Sequence, residues 1–202
     1  MNLGSGQDSF LEVVEEGKLF STVENQADEE DVAKLRRAME FLLPGLALAG
    51  LIPYVGGDWS LVAFIGTLVA VLGVFRLWEE GVWFKLSAVT VGLQCLCLCY
   101  QLVGQTLLPE LLEQPLYPVA GYVAMVAGAA TFLLLTVALW LYHKKSAYLM
   151  AAAALAGVAL PVLSLFGGGL VLTVVRIVLV LVGAAGLGVL FVSAKQAPIY
   201  PE

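Results

Sequence analysis

Six apolar runs, at about residues 38–55, 60–78, 82–108, 116–142, 147–166 and 169–194, follow one another with only short polar interruptions. Each approaches or exceeds the roughly 20 helical residues needed to cross a hydrocarbon layer about 30 Å thick, the first being the shortest. Within lipid every backbone amide and carbonyl has to be satisfied locally, and a helix does this inside a single segment. The spacing therefore predicts an all-α, polytopic membrane protein: a compact bundle of six transmembrane helices. Composition agrees, since the 202 residues are 60% hydrophobic and 13% charged, against about 45–50% apolar and 25% charged in soluble domains. The short connections make spans 1 and 2, and spans 5 and 6, antiparallel hairpins.

The third run is not uniformly apolar. Ser87, Thr90, Gln94, Cys97, Gln101 and Gln105 recur at steps of three or four, so on a helix they share one face. A bare amide in hydrocarbon costs on the order of 4–8 kcal/mol on the strictest scale, and this face therefore has to be covered by neighbouring spans. Ser87, Thr90 and Gln94 suit bonds between packed helices, whereas Gln101 and Gln105, nearer the outer end, are available for more.

Basic residues set the orientation. Lys18, Lys34, Arg36 and Arg37 precede span 1, Arg76 and Lys85 flank the turn between spans 2 and 3, Lys144 and Lys145 follow span 4, and Lys195 follows span 6. The opposite loops, 56–59, 109–115 and 167–168, hold no lysine or arginine. The positive-inside rule then places both the N- and the C-terminus in the cytoplasm. Trp59 falls at the outer end of span 2, and Trp78, Trp83 and Trp140 fall at inner ends, where an aromatic belt belongs. This predicts a multi-pass protein of the cell membrane, and the lack of an Asn-x-Ser/Thr sequon fits a bacterial plasma membrane.

The chain divides into an acidic tail over 1–27, a membrane domain over 28–194 and a short cytoplasmic tail over 195–202. Residues 1–40 carry ten of the sixteen acids against four bases, so the net charge of −6 belongs to this end. Phe10, Val13, Val14, Gly17 and Phe20 form one face of a short amphipathic helix, but its other face is acidic, the wrong sign for anionic lipid. The tail reads as flexible and suited to a cytoplasmic protein partner. Asp28 is an N-cap candidate, followed by Glu29, Glu30 and Asp31 and then by Lys34, Arg36 and Arg37, the charge order a helix dipole favours.

Several chemistries are excluded by what the residues can reach. No basic patch meets nucleic acid. Cys95, Cys97 and Cys99 alternate between opposite sides of a helix and cannot close on one ion, so no metal site is expected. His143, the only histidine, sits in the basic flank at the inner edge of span 4, with no nucleophile or metal indicated beside it that would make it a general base. Phosphate-binding loops, zinc-protease motifs and nucleophile elbows are missing too. No catalytic residue, enzyme activity or cofactor is expected.

Two further patterns bear on packing. Ala47-Leu48-Ala49-Gly50 with Pro53 resembles Ala154-Leu155-Ala156-Gly157 with Pro161, interruptions at matching places in spans 1 and 5. Ala124 with Gly128, Ala153 with Gly157, and Ala184 with Gly188 are small-x-x-x-small pairs that let helices approach, within a chain or between protomers of a homo-oligomer.

Arg176 is the one charge well inside a run. It lies seven residues from the outer start of span 6, about 10 Å deep at 1.5 Å per residue. Gln101, Thr67 and Tyr122 occupy the same depth in spans 3, 2 and 4, with Gln105 and Tyr54 nearer the surface. Two readings stay open. In the first the chain is a non-catalytic membrane component that packs among lipids and other proteins, Arg176 snorkelling outward or bonding the Gln101 amide oxygen and free carbonyls near Pro53 or Pro161. In the second these six residues line an outward-facing pocket of a small permease or binding protein for an anionic or lipid-like molecule.

Overall fold

The computed structural model describes residues 33–54, 60–142, 144–166 and 169–196. The amphipathic stretch in the acidic tail, the Asp28 cap, Trp59, His143 and residues 197–202 lie outside these. Among the described residues every element is helical and there is no strand. Helix α1 covers 33–50 and is followed by a 3-10 turn, Ile52–Tyr54. The others are α2, Ser60–Phe75; α3, Val82–Thr106; α4, Leu116–Tyr142; α5, Lys144–Ser164; and α6, Leu170–Gln196.

Four helices are long and apolar enough to cross a membrane: Val82–Thr106, Leu116–Leu141, Ala147–Ser164 and Leu170–Val192. That is the property of a membrane-embedded bundle. Helix α2 is as apolar but shorter, 16 residues, because the chain turns at Arg76 and Leu77 into a 3-10 turn, Trp78–Glu80. Helix α1 begins with Lys34, Arg36, Arg37 and Glu40, too many charges for an 18-residue lipid-soluble window.

Yet α1 is closely packed against its neighbours along one side. Ala38, Leu42, Leu43, Leu46 and Ala49 are buried, and the 3-10 turn after it touches α2, α5 and α6. Helix α2 presents Ala63, Gly66, Ala70 and Gly73 on one buried face at steps of three and four, and α1 lies directly on it. A Cβ built on Gly45 would fall 2.7 Å from the Gly66 carbonyl oxygen, and one on Gly73 would fall 2.6 Å from the Leu42 backbone nitrogen. The two backbones touch, so glycine is required at these places because of space and not because of backbone conformation.

Helix α4 runs antiparallel to α3 and to α5. The Thr90 and Thr131 hydroxyls are 2.9 Å apart across the α3–α4 seam, while Thr131 also donates to Ala127 O and Ser87 to Trp83 O within their own helices. On its other side α4 sends the Phe132 ring, 2% exposed, between Gly50 of α1 and Gly157 of α5. These are the corresponding glycines of the two Ala-Leu-Ala-Gly segments, and the fold brings both against one ring. Helices α5 and α6 meet through Gly183 and Gly186, where a Cβ would fall 2.8 Å from Ala156 Cβ and from Leu149 O respectively. Gly188, by contrast, faces open space.

One end of the bundle is tied by charge. Lys34 Nζ lies 2.8 Å from Glu80 Oε1 and 3.8 Å from Glu79 Oε2. Arg76 donates to Arg37 O at 3.4 Å and stands 4.2 Å above the Phe41 ring. The charged start of α1 thus packs on the α2–α3 turn.

Candidate functional site

The polar stripe of α3 divides in the structure. Its lower part is consumed by packing bonds: Ser87 and Thr90 bond to Trp83 O and Ser87 O, and Thr90 to Thr131. Its upper part faces open volume. Gln94 and Gln101 line a cleft of about 330 Å³ together with Tyr54, Ser60 and Met125. Ser60 also lines an adjoining cavity of about 480 Å³ with Gln105 and Thr106. A polar track therefore runs from Gln94 past Gln101 and Ser60 to the C-terminal end of α3.

Two glycines of α4 create the room. Gln94 and Gln101 are seven residues apart on α3, and Gly128 and Gly121 are seven apart on the antiparallel α4. A Cβ on Gly128 would fall 2.8 Å from Gln94 Nε2, and one on Gly121 2.7 Å from Gln101 Nε2. Each amide lies in the space a missing side chain leaves. Gln94 is 7% exposed, and among the described residues no hydrogen bond reaches either side-chain amide. Both amides therefore stand open to the cleft, each with a donor and an acceptor available. No charged side chain lines it among the described residues.

Of the six pocket residues inferred from depth, the fold brings Gln101 and Tyr54 together and places Gln105 next door. The other three go elsewhere. Thr67 is buried and donates to Ala63 O at 2.7 Å, satisfied within its own helix. Tyr122 is 58% exposed and borders an apolar groove between α4 and α5. Arg176 turns to α5 and donates from Nη2 to Leu163 O at 2.7 Å. Depth alone could not separate these, because residues at one level of a bundle point in different directions around it. Gln94, assigned above to helix packing, and Ser60 line the cleft as well. The sevenfold spacing of Gln94 and Gln101 opposite that of Gly121 and Gly128 was the signal that could have found the first. Gly128, read as a close-packing position for backbones, makes space for a side chain instead.

Arg176 has a physical role that needs no ligand. Leu163 lies in the last turn of α5, where carbonyls lack helical partners, and a cation there also meets the negative end of the helix dipole. Its bond to this carbonyl is charge-assisted, worth about 1.5–3 kcal/mol. Arg176→Met is accordingly expected to lower the unfolding stability of the purified protein by about 1–2 kcal/mol, with Arg176→Lys in between. If the guanidinium only snorkelled to the surface, Arg176→Met would leave denaturant unfolding in detergent unchanged or would stabilise the protein.

Among the described residues no three His, Cys, Asp or Glu side chains gather, and α3 continues unbroken through the free Cys95, Cys97 and Cys99. Comparison with known proteins finds no family model, no curated protein and no solved structure that matches the chain. The functional reading rests on the cleft.

Proposed function

We propose that the chain is a six-span protein of the cell membrane, both termini cytoplasmic, which binds a small uncharged molecule by hydrogen bonds in the outer half of the bilayer without chemically altering it. The observation that carries this reading is the pair of amides, Gln94 and Gln101, facing one cleft with Tyr54 and meeting no protein partner among the described residues. An amide offers both a donor and an acceptor, so the guest has to offer both in return. An uncharged guest is favoured because no charged side chain among the described residues lines the cleft and Arg176 is engaged on α5.

The orientation is supported by the charge distribution. The Lys34–Glu80 pair and the Arg76 bond to Arg37 O gather the bases of α1 and of the α2–α3 turn at one end, and a surplus of bases marks the cytoplasmic side. In this arrangement α1 and α2 are spans whose shortness and charge are tolerated because they pack on each other. Asn2→Cys and Leu112→Cys, each in a background with Cys95, Cys97 and Cys99 replaced by alanine, are expected to react with impermeant maleimide from opposite sides.

Native mass spectrometry of protein released from nanodiscs tests the binding. An uncharged adduct is expected on the wild type, absent from Gln94→Leu/Gln101→Leu and retained by Arg176→Gln. An anionic adduct that depends on Arg176, or one that survives the double substitution, overturns the reading.

A further inference from the structure

The cleft has a second neighbour of opposite character. Met125 of α4, half-buried, lines the polar cleft and also an apolar groove of about 310 Å³ between α4 and α5. The groove follows α4 from Tyr122 to Leu133, about 16 Å at 1.5 Å per residue. Small side chains, Ala129 and Ala130, keep it open, and Pro161 of α5 faces it. Its rim is exposed, with Val126 at 69% and Leu133 at 51%, so it opens sideways to whatever surrounds the bundle, which for a membrane protein is lipid. On the polar side the cleft leads by Ser60 towards Gln105 at the outer end of α3.

We propose that the guest is an amphiphile, with an uncharged hydrogen-bonding head held between Gln94, Gln101 and Tyr54 and a single hydrocarbon chain passing Met125 into the α4–α5 groove. This rests on the reading of the cleft as a binding site. Three observations carry it together. The polar part has hydrogen-bonding groups and, among the described residues, no charge. The apolar part is one trough running between α4 and α5. The residue common to both is an unbranched thioether with three rotatable bonds, a side chain that can swing aside and re-pack against a chain at little cost. A small polar solute uses only the first of these features. A fatty acid or a phospholipid brings a charge that the lining does not answer, and leaving a buried charge unanswered is far more costly than leaving an amide so.

The test uses the full chain in phosphatidylcholine nanodiscs with a monoacylglycerol carrying a diazirine near the end of its chain. Irradiation is expected to label peptides covering Val126–Leu133 and Val158–Leu165 saturably, with unlabelled monoacylglycerol competing and glycerol not competing. Gln94→Leu/Gln101→Leu is expected to reduce labelling there at least tenfold although neither residue touches the groove. Met125→Trp, which blocks the passage, is expected to do the same, and Met125→Ala to preserve it; thermal unfolding of each variant confirms that it is folded. Groove labelling that ignores all these substitutions means the chain is ordinary surrounding lipid, and the proposal fails. If a chainless uncharged adduct is found that depends on Gln94 and Gln101 while monoacylglycerol neither labels nor competes, the amphiphile is overturned and the binding cleft stands. If the corresponding fatty acid labels as well as the monoacylglycerol and dependence on the glutamines is lost, both are overturned.

Discussion

Gly66→Leu is expected to prevent α1 and α2 from packing and to remove most folded protein, whereas Gly188→Leu, on the same scale of added bulk, is expected to be silent. At Gly66 a Cβ would already fall 2.5 Å from Leu48 Cβ and 2.7 Å from the Ala49 backbone nitrogen. Backbone cannot rotate out of the way as a side chain can, so the helices must separate, at a cost above the roughly 1–3 kcal/mol of ordinary overpacking. The damage spreads because α1 is also the surface on which Phe132 and the tip contacts with α5 and α6 are built. Gly188 has nothing within 4 Å. Size-exclusion profiles and thermal unfolding of the two variants in detergent give the comparison. Equal behaviour of the two would show that the α1–α2 contact does not organise the bundle.

Phe132→Ala is expected to cost roughly 2–4 kcal/mol, the range for emptying a packed aromatic site, towards the low end because in lipid the loss is packing rather than transfer from water. The ring sits between two glycines, so nothing nearby can lean in to fill its place. That makes a second-site rescue specific. A Cβ on Gly157 would fall 2.5 Å from Phe132 Cδ2, and Gly157→Leu alone is therefore expected to destabilise the protein strongly. In the Phe132→Ala background the same leucine finds the vacated volume, and the double variant is expected to be more stable than either single one. Residues in contact depart from additivity in this way. Unfolding midpoints for the three variants and the wild type complete the cycle, and additive losses would show that ring and glycine do not share the space.

How much of this was legible beforehand varies from residue to residue. The helices fall close to the apolar runs because backbone satisfaction in an apolar environment leaves few alternatives; α3, expected over 82–108, is Val82–Thr106, and α4, expected over 116–142, is Leu116–Tyr142. Helix α1 is the shortest of the apolar runs in sequence, and only the structure shows its backbone seated on α2 and against the Phe132 ring. The repeat of Ala-Leu-Ala-Gly in spans 1 and 5 acquires its meaning from Phe132, a residue in neither segment. The small pairs read as packing positions have three different uses: Gly128 accommodates the Gln94 amide, Gly157 accommodates a ring, and Gly188 touches nothing. The closest backbone approach is made instead by Gly45, Gly66 and Gly73.

The candidate site shows the same division. Sequence by itself determined that α3 carries a polar face, that Arg176 lies inside an apolar run, and that no ordinary catalytic motif is present, because periodicity, composition and residue type are local properties. Which of those polar groups meet, and which are used up, was decided by tertiary structure. Helical phase gives the face of one helix but not the rotation of its neighbours, so equal depth suggested one pocket around Arg176. The packed bundle turned Arg176 onto the end of α5, bonded Thr90 to Thr131, and set Gln94 and Gln101 opposite two glycines with Tyr54 and Met125 beside them. Which polar side chains that packing leaves without partners is a property of the whole bundle.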